Sequence, residues 1–120
     1  MKVIGIPLQE SAVSTKNADH QKELLKEVRK QAAIIMMGGG KDAHAKQHKR
    51  GKLSARERIE KLIDPGSYFL EIGLFTAFEM YAEFGGAPSS GTVFGIGIIH
   101  GREVVIVAND ATVKAGAWFP

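Results

Sequence analysis

The strongest constraint on the fold is the apolar run from Val104 to Ala108, which leads directly into the polar turn 109–112. A short, nearly continuous apolar run predicts a strand that is covered on both faces. A second run, Val93 to Ile99, precedes it across His100-Gly101, so we expect the two to form a hairpin. A buried strand needs neighbours on both sides, and this sequence offers few. We therefore expect the 120 residues to be an incomplete fold.

A long amphipathic helix is predicted near the amino terminus. From Lys16 onward, apolar residues recur at spacings of three and four. Asn17 or Asp19 is the expected cap, and the glycines 38–40 are expected to end the helix. The first 15 residues predict a short strand or an extended arm.

Two shorter helices are predicted next. The basic segment KDAHAKQHKRGK predicts one or two helical turns that end at Gly51. Ser54 and Glu57 form a capping-box pattern, which predicts the start of a third helix. Asp64-Pro65-Gly66 is expected to end that helix in a turn.

The segment between the third helix and the hairpin predicts one strand, YFLEIG, followed by an irregular loop. Gly95 to Gly97 lies within a predicted strand and lacks the spacing of a dinucleotide-binding loop. The sequence therefore predicts an α/β fold, with a helical lead-in at about 16–64 and a β-containing part at about 68–120.

Composition excludes several classes of protein. The chain has no cysteine, so a disulfide framework, a thiolate metal site and a cysteine nucleophile are impossible. Its longest apolar run, AAIIMM, is far shorter than the roughly 20 residues that span a bilayer. The amino terminus lacks the pattern of a signal peptide. We expect a cytoplasmic protein that does not enter a membrane.

Basic residues are concentrated in the first half of the chain. Net charge is +3, with the excess of Lys and Arg between Lys16 and Lys61. The densest group consists of Lys49, Arg50, Lys52, Arg56 and Arg58. It predicts either an anionic partner or a solvated helix surface. Arg56 is also spaced to pair with Glu60 at i+4.

Two stretches carry a resemblance to a known family. GKLSARERIEKLIDPGSYFLEIG and GGAPSSGTVFGIGIIHGREVVIVANDATVKAGAWFP resemble the carboxyltransferase (beta) subunits of biotin-dependent acyl-CoA carboxylases. The resemblance covers about residues 23–120, and the NDATVKAGAWFP turn is most similar to the methylcrotonoyl-CoA type. It implies the amino-terminal part of a crotonase-like fold, a ββα superhelix.

The resemblance also implies a chemistry. Such enzymes move a carboxyl group from carboxybiotin to an acyl-CoA of the methylcrotonoyl-CoA or propionyl-CoA type. Backbone N–H groups would hold the enolate oxygen and the ureido oxygen of biotin. In the family these donors lie downstream of the residues present here, so we assign no catalytic residue and expect the 120 residues alone to be inactive.

Part of an acyl-CoA site is implied at the turn after the last strand. Lys114 matches the family's substrate-adjacent lysine, and Ala115 and Gly116 would let a ligand approach the backbone. Free N–H groups at the start of a following helix would suit an anion. Arg50, Lys52 and Arg56 are candidates for a CoA phosphate or a subunit contact. The alternative for Lys114 is a solvated turn lysine.

The cofactor and partners follow from the same resemblance. Biotin would be carried by a biotin carboxylase or biotin carrier subunit, and beta subunits would form a homo-oligomer. A sodium-pump decarboxylase subunit remains open. His44 and His48 lie at i and i+4, but adjacent lysines oppose a cation, so no metal is expected. Trp118 and Phe119 predict core or interface aromatics.

Two other classes of function remain open. A small assembly or scaffold protein could pair its unfinished sheet with another chain. A nucleic-acid-binding module could use the basic segment 41–58, although interleaved aromatics and a recognised binding motif are lacking there.

Overall fold

The computed structural model describes Gly5 and residues 10–117. The chain divides into two compact units, residues 1–31 and 32–120. In the described residues, helices precede a three-stranded antiparallel sheet of order β1-β2-β3. The elements are α1 (Ala12–Met36), α2 (Lys41–Lys49), α3 (Ala55–Leu62), β1 (Phe69–Ile72), β2 (Thr92–Ile99) and β3 (Arg102–Asn109). The predicted order of helices followed by a hairpin is confirmed.

Helix α1 begins four residues before the predicted start. Ser11 and Ser14 exchange hydrogen bonds: each backbone N–H donates to the other's Oγ, at 2.8 and 3.1 Å. Because these bonds satisfy the first turn, a cap at Asn17 or Asp19 is wrong, and so is an extended arm up to residue 15. The arm's residues 1–4 and 6–9 lie outside the described residues. None of the described helices is long and apolar enough to cross a membrane.

The predicted end of α1 and the predicted capping box of α3 are confirmed, whereas α2 ends at Lys49, two residues before the predicted Gly51. Helix α1 ends at Met36, before the glycine turn. At α3, Ser54 Oγ accepts the N–H of Glu57 at 3.3 Å, and a carboxylate oxygen of Glu57 accepts the N–H of Ser54 at 2.7 Å. This capping box satisfies backbone donors at the start of the helix.

Packing of α3 on the sheet forms the hydrophobic core of the described residues. Its buried members are Ala55, Ile59, Val93 and Ile106. Gly97 on β2 provides the room: a Cβ there would lie 2.7 Å from Ile63 Cγ2 and 3.0 Å from Ile106 Cδ1. The Gly95 to Gly97 segment is strand, as predicted, and Gly97 lies against the packed helix.

The hairpin turn is held by a carboxylate from the end of α3. His100 and Gly101 connect β2 and β3 with φ of 51° and 73°. Asp64 accepts the N–H groups of His100 at 2.7 Å and Gly101 at 2.8 Å. The bonds from Gly101 and His100 lower the pKa of Asp64. A non-glycine residue at positive φ is thereby stabilised by its partner.

The sheet face opposite α3 differs from the prediction. Register places Leu70, Ile96 and Val105 in one row, and Ile72, Phe94 and Val107 in the next. Val105 and Val107 are 66% and 56% exposed. The prediction that β3 is covered on both faces is therefore wrong for the described residues, because α3 covers one face only.

The segment between β1 and β2 is irregular, as predicted. It contains two short 3₁₀ turns, Ala82–Phe84 and Pro88–Gly91. Ser89 fastens the second turn by donating its hydroxyl to the carbonyl of Leu74 at 2.9 Å. Gly85 and Gly86 lie in the segment that connects the two turns.

Gly97→Ala is expected to lower the free energy of unfolding by about 1–3 kcal/mol, because the added methyl would overlap Ile63. Urea unfolding measures the change, with Arg102→Ala on exposed strand surface as the control. Equal stability of Gly97→Ala and wild type would contradict the helix-packing role of Gly97.

Candidate functional site

The turn that follows β3 is held by contacts from three other parts of the chain. The N–H of Asp110 donates to the carbonyl of Gly91 at 2.8 Å. Arg58 of α3 donates to the carbonyl of Asn109 at 2.8 Å, and Gln47 of α2 donates to that of Ala111 at 3.3 Å. The turn is thus fixed to both short helices and to the 3₁₀ turn that precedes β2.

Buried polar groups fix the same turn from within. Asp110 and Thr112 are 7% and 9% exposed. One carboxylate oxygen of Asp110 accepts both the N–H and the hydroxyl of Thr112, at 2.9 and 2.6 Å. The hydroxyl oxygen of Thr112 accepts the N–H of Gly39 at 3.0 Å. A buried turn with this many bonds is a rigid platform.

A basic cleft of about 560 Å³ lies between α2, α3 and this turn. It unites three predicted site residues, Lys52, Ala115 and Gly116. Its described lining contains two cations and no carboxylate: Gln47, Gly51, Lys52, Leu53, Arg58, Asn109, Ala111, Ala115 and Gly116. Such a lining favours a ligand that carries negative charge.

Lys114 lies on the other side of the turn. It belongs to a smaller cleft of about 210 Å³ whose lining is rich in glycine: Gly38, Gly39, Gly85, Gly86, Pro88, Thr112, Val113 and Lys114. A Cβ on Gly85 would lie 3.4 Å from Lys114 Nζ, so the ammonium lies close to the backbone of that turn. A ligand here would meet backbone and one lysine rather than bulky side chains.

Residues 114–116 do not begin an α-helix. They form a 3₁₀ turn in which Lys114 and Ala115 have φ of 45° and 56°. The N–H of Gly116 donates to the carbonyl of Val113 at 2.8 Å, and that of Ala117 donates to Lys114 at 3.1 Å. Residues 114–117 therefore provide no helix start with free N–H groups, and a helix that follows them would lie outside the described residues. The positive φ angles of Lys114 and Ala115 are incompatible with a regular α-helix. The N–H groups of Gly116 and Ala117 are used within the turn.

Arg56 lies away from the basic cleft. Its guanidinium binds the carboxylate of Glu71 on β1 through two nitrogens, one of them at 2.8 Å, and its Nε donates to the carbonyl of Met36 at 3.1 Å. The predicted pair with Glu60 is wrong, because the packing of α3 turns Arg56 towards the sheet. Through these bonds Arg56 joins α3 to β1 and to the end of α1, and its role towards a CoA phosphate or a subunit stays a prediction.

Arg50 and Arg58 also differ in their placement. Arg50 is exposed just after α2, and its backbone N–H donates to the carbonyl of Gln47 at 3.0 Å. Arg58 lines the basic cleft, whereas the sequence left open whether its basic group meets an anionic partner or forms a solvated helix surface. The sequence signal for this placement was that Arg58 lies beside Ile59, on the border of the apolar stripe of α3. Gln47 gave no such signal.

The histidines of α2 make contacts within the fold. His44 Nε2 lies 3.1 Å from the carbonyl of Met37, and His48 Nε2 lies 2.8 Å from a carboxylate oxygen of Glu57. The hydrogen bond with His48, followed by those with Ser54, lowers the pKa of Glu57 to about 2.

Across Gly5 and residues 10–117, no group of three or more His, Cys, Asp or Glu residues could hold a metal. Trp118 and Phe119 lie outside the described residues.

Comparison with protein families gives one match that covers this site. The family model described as carboxyl transferase domain matches residues 46–120. This range contains every residue that lines the basic cleft.

Curated proteins and solved structures agree with that match. The chain is 42% identical over 91% of its length to the biotin-dependent 3-methylcrotonyl-coenzyme A carboxylase beta1 subunit of Mycobacterium tuberculosis. It is 42% identical over 80% of its length to the propionyl-CoA carboxylase beta chain of Cereibacter sphaeroides. A transcarboxylase 12S chain, solved with methylmalonyl-coenzyme A bound, matches 93% of this chain at 31% identity and a TM-score of 0.72.

The chain spans about one fifth of the length of these proteins: 20%, 19% and 20%, respectively. The structural neighbour confirms that the helices and antiparallel strands are part of the expected crotonase-like α/β fold.

Arg56→Met is expected to lower the free energy of unfolding by about 1–3 kcal/mol, because it leaves the carboxylate of Glu71 largely buried without its partner. Glu71→Leu in the same chain should restore part of the loss. The control is Lys26→Met in the exposed Lys26–Glu23 pair, for which a change below about 0.5 kcal/mol is expected. Additive effects of the Arg56 and Glu71 variants in urea unfolding would contradict the coupling.

Glu57→Gln is expected to lower the melting temperature at pH 7, and the deficit should shrink in acid. The pKa of Glu57 is lowered in the folded state, from 4.5 to about 2. Its stabilising effect is therefore complete above 4.5 and is lost as pH falls towards 2. Melting curves between pH 7 and 2 test this, with Glu60→Gln on the same helix as the control. A deficit that stays constant with pH would refute the role of its charge.

Proposed function

Because this chain belongs to the carboxyl transferase domain family, we propose that it forms part of an acyl-CoA carboxyltransferase. That enzyme moves a carboxyl group from carboxybiotin to an acyl-CoA of the methylcrotonoyl-CoA or propionyl-CoA type. The observation that carries the proposal is the coincidence of the family match with the cleft that unites Lys52, Ala115 and Gly116.

The proposed role of these residues is to bind acyl-CoA. Coenzyme A carries several phosphate charges, and Lys52 and Arg58 provide cations without an opposing carboxylate in the lining. Lys114 would meet a phosphate or a carbonyl oxygen on the other side of the turn. We propose binding and orientation as the tasks of these side chains, and no residue is assigned a catalytic role.

Biotin would be bound elsewhere in the assembly. The basic cleft holds two cations, Lys52 and Arg58, which suit polyanionic coenzyme A better than the uncharged ring system of biotin. When bound, biotin supplies the carboxyl group for transfer. We assign biotin to a biotin carboxylase or carrier subunit, and we propose a homo-oligomer of the enzyme to which this chain belongs.

A cytoplasmic location stays a prediction, since some relatives are named as mitochondrial.

A non-enzymatic assembly protein is the second candidate. It is favoured by the two exposed apolar rows on the sheet, which include Leu70, Ile72, Phe94, Val105 and Val107. Such a face promotes association with another polypeptide surface. Monomeric behaviour of the native protein at all concentrations would count against this candidate.

The test uses the protein purified from its source with the subunits that accompany it. Labelled bicarbonate and ATP generate carboxybiotin, and transfer to methylcrotonoyl-CoA and propionyl-CoA is measured. Lys114→Met is expected to raise KM for acyl-CoA about tenfold, because one charged contact is lost. Lys49→Met, on the exposed side of α2, is the matched control and should change KM less than about twofold.

Absence of transfer to either acyl-CoA by the wild-type assembly would overturn the proposed function. Transfer with equal KM for Lys114→Met and wild type would retain the enzyme and remove Lys114 from its substrate site.

A further inference from the structure

Two turns far apart in sequence approach each other more closely than side chains allow. A Cβ on Gly39 would lie 1.9 Å from the carbonyl oxygen of Thr112. A Cβ on Gly38 would lie 2.5 Å from Asp110 Oδ2 and 2.7 Å from Thr112 Oγ1. Ending a helix requires one glycine at most, so helix termination does not explain this fit. The glycines let the backbone of one turn lie against the other.

A relay of hydrogen bonds joins the two turns at this contact. The hydroxyl of Thr112 accepts the N–H of Gly39 at 3.0 Å and donates to Asp110 Oδ1 at 2.6 Å. Only a side chain that both accepts and donates can occupy the middle of the relay. Burial of Asp110 and Thr112 keeps water from replacing either bond.

Thr112, the middle residue of the relay, lies two residues before Lys114 in the sequence. Lys114 and Ala115 both have positive φ, which is unfavourable for residues that carry a Cβ. Such conformations persist where the surrounding structure determines them. Upstream of Lys114, the determining contacts are the relay and the bond from the Val113 N–H to the Asp110 carbonyl at 3.0 Å.

We propose that Gly39, Thr112 and Asp110 form a clasp that positions Lys114 for acyl-CoA. Thr112 is a positioning residue in this scheme, because its effect on acyl-CoA is proposed to act through Lys114. This inference rests on the proposed function and deepens it. It also links the end of α1 to the site, because Gly39 lies in the turn that follows that helix.

The test compares Thr112→Val with Thr112→Ser in the native assembly. Valine keeps the shape of threonine but can neither accept from Gly39 nor donate to Asp110, whereas serine keeps both bonds. Thr112→Val is expected to raise KM for acyl-CoA about tenfold, with kcat within about twofold of wild type. Thr112→Ser should keep both constants within about twofold of wild type.

A double variant separates positioning from general support of the fold. In a Lys114→Met background, Thr112→Val should change KM by less than about twofold, because the residue through which Thr112 acts is already lost. A tenfold effect that persists in that background would overturn the clasp. If Thr112→Val does not assemble, the same cycle is measured with Thr112→Cys, whose thiol is a weak donor and acceptor.

The wild-type assembly distinguishes the two proposals. No carboxyl transfer by wild type overturns the proposed function and this inference together. Transfer by wild type with an unchanged KM in Thr112→Val overturns the clasp alone.

Discussion

The seating of α3 on the sheet determines where two arginines are placed, and one of them, Arg58, lines the candidate site. Ile59 and Ala55 are buried against Val93 and Ile106, and this fixes the rotation of the helix about its axis. Arg56 and Arg58 flank the buried stripe on opposite sides. One therefore reaches β1, and the other reaches the end of β3. Removal of the apolar contact would release both arginines at once.

Local sequence patterns predicted the elements well where a short-range interaction decides the structure. The capping box of α3 and the two-residue hairpin turn depend on residues a few positions apart, so they were visible in the sequence. The same reasoning placed the start of α1 too late, because it favoured Asn17 and Asp19 over the reciprocal serine pair at Ser11 and Ser14. The structure also left one face of β3 exposed where the apolar run predicted cover on both.

Contacts between distant residues were beyond such patterns. Glu71 lies fifteen residues from Arg56 and becomes its partner only when β1 pairs with β2 beneath α3. The i+4 neighbour Glu60 was the partner that helix geometry alone suggests. The candidate site shows the same division. Lys52, Ala115 and Gly116 meet as members of one cleft, whereas Lys114 faces a second cleft that glycines from two other turns enclose.

The bond from Asp64 to the hairpin turn also bears on how the chain acquires its structure. Asp64 precedes the hairpin, so its carboxylate has already left the ribosome when His100 and Gly101 emerge. An isolated hairpin forms within about 1–10 μs and is marginally stable in water. The carboxylate of Asp64 can therefore bind the N–H groups of the turn as soon as the turn forms. This contact brings α3, which precedes Asp64, close to the strands on which it packs. The order of synthesis and the native contact thus both favour binding of the hairpin turn by Asp64 as an early step of folding.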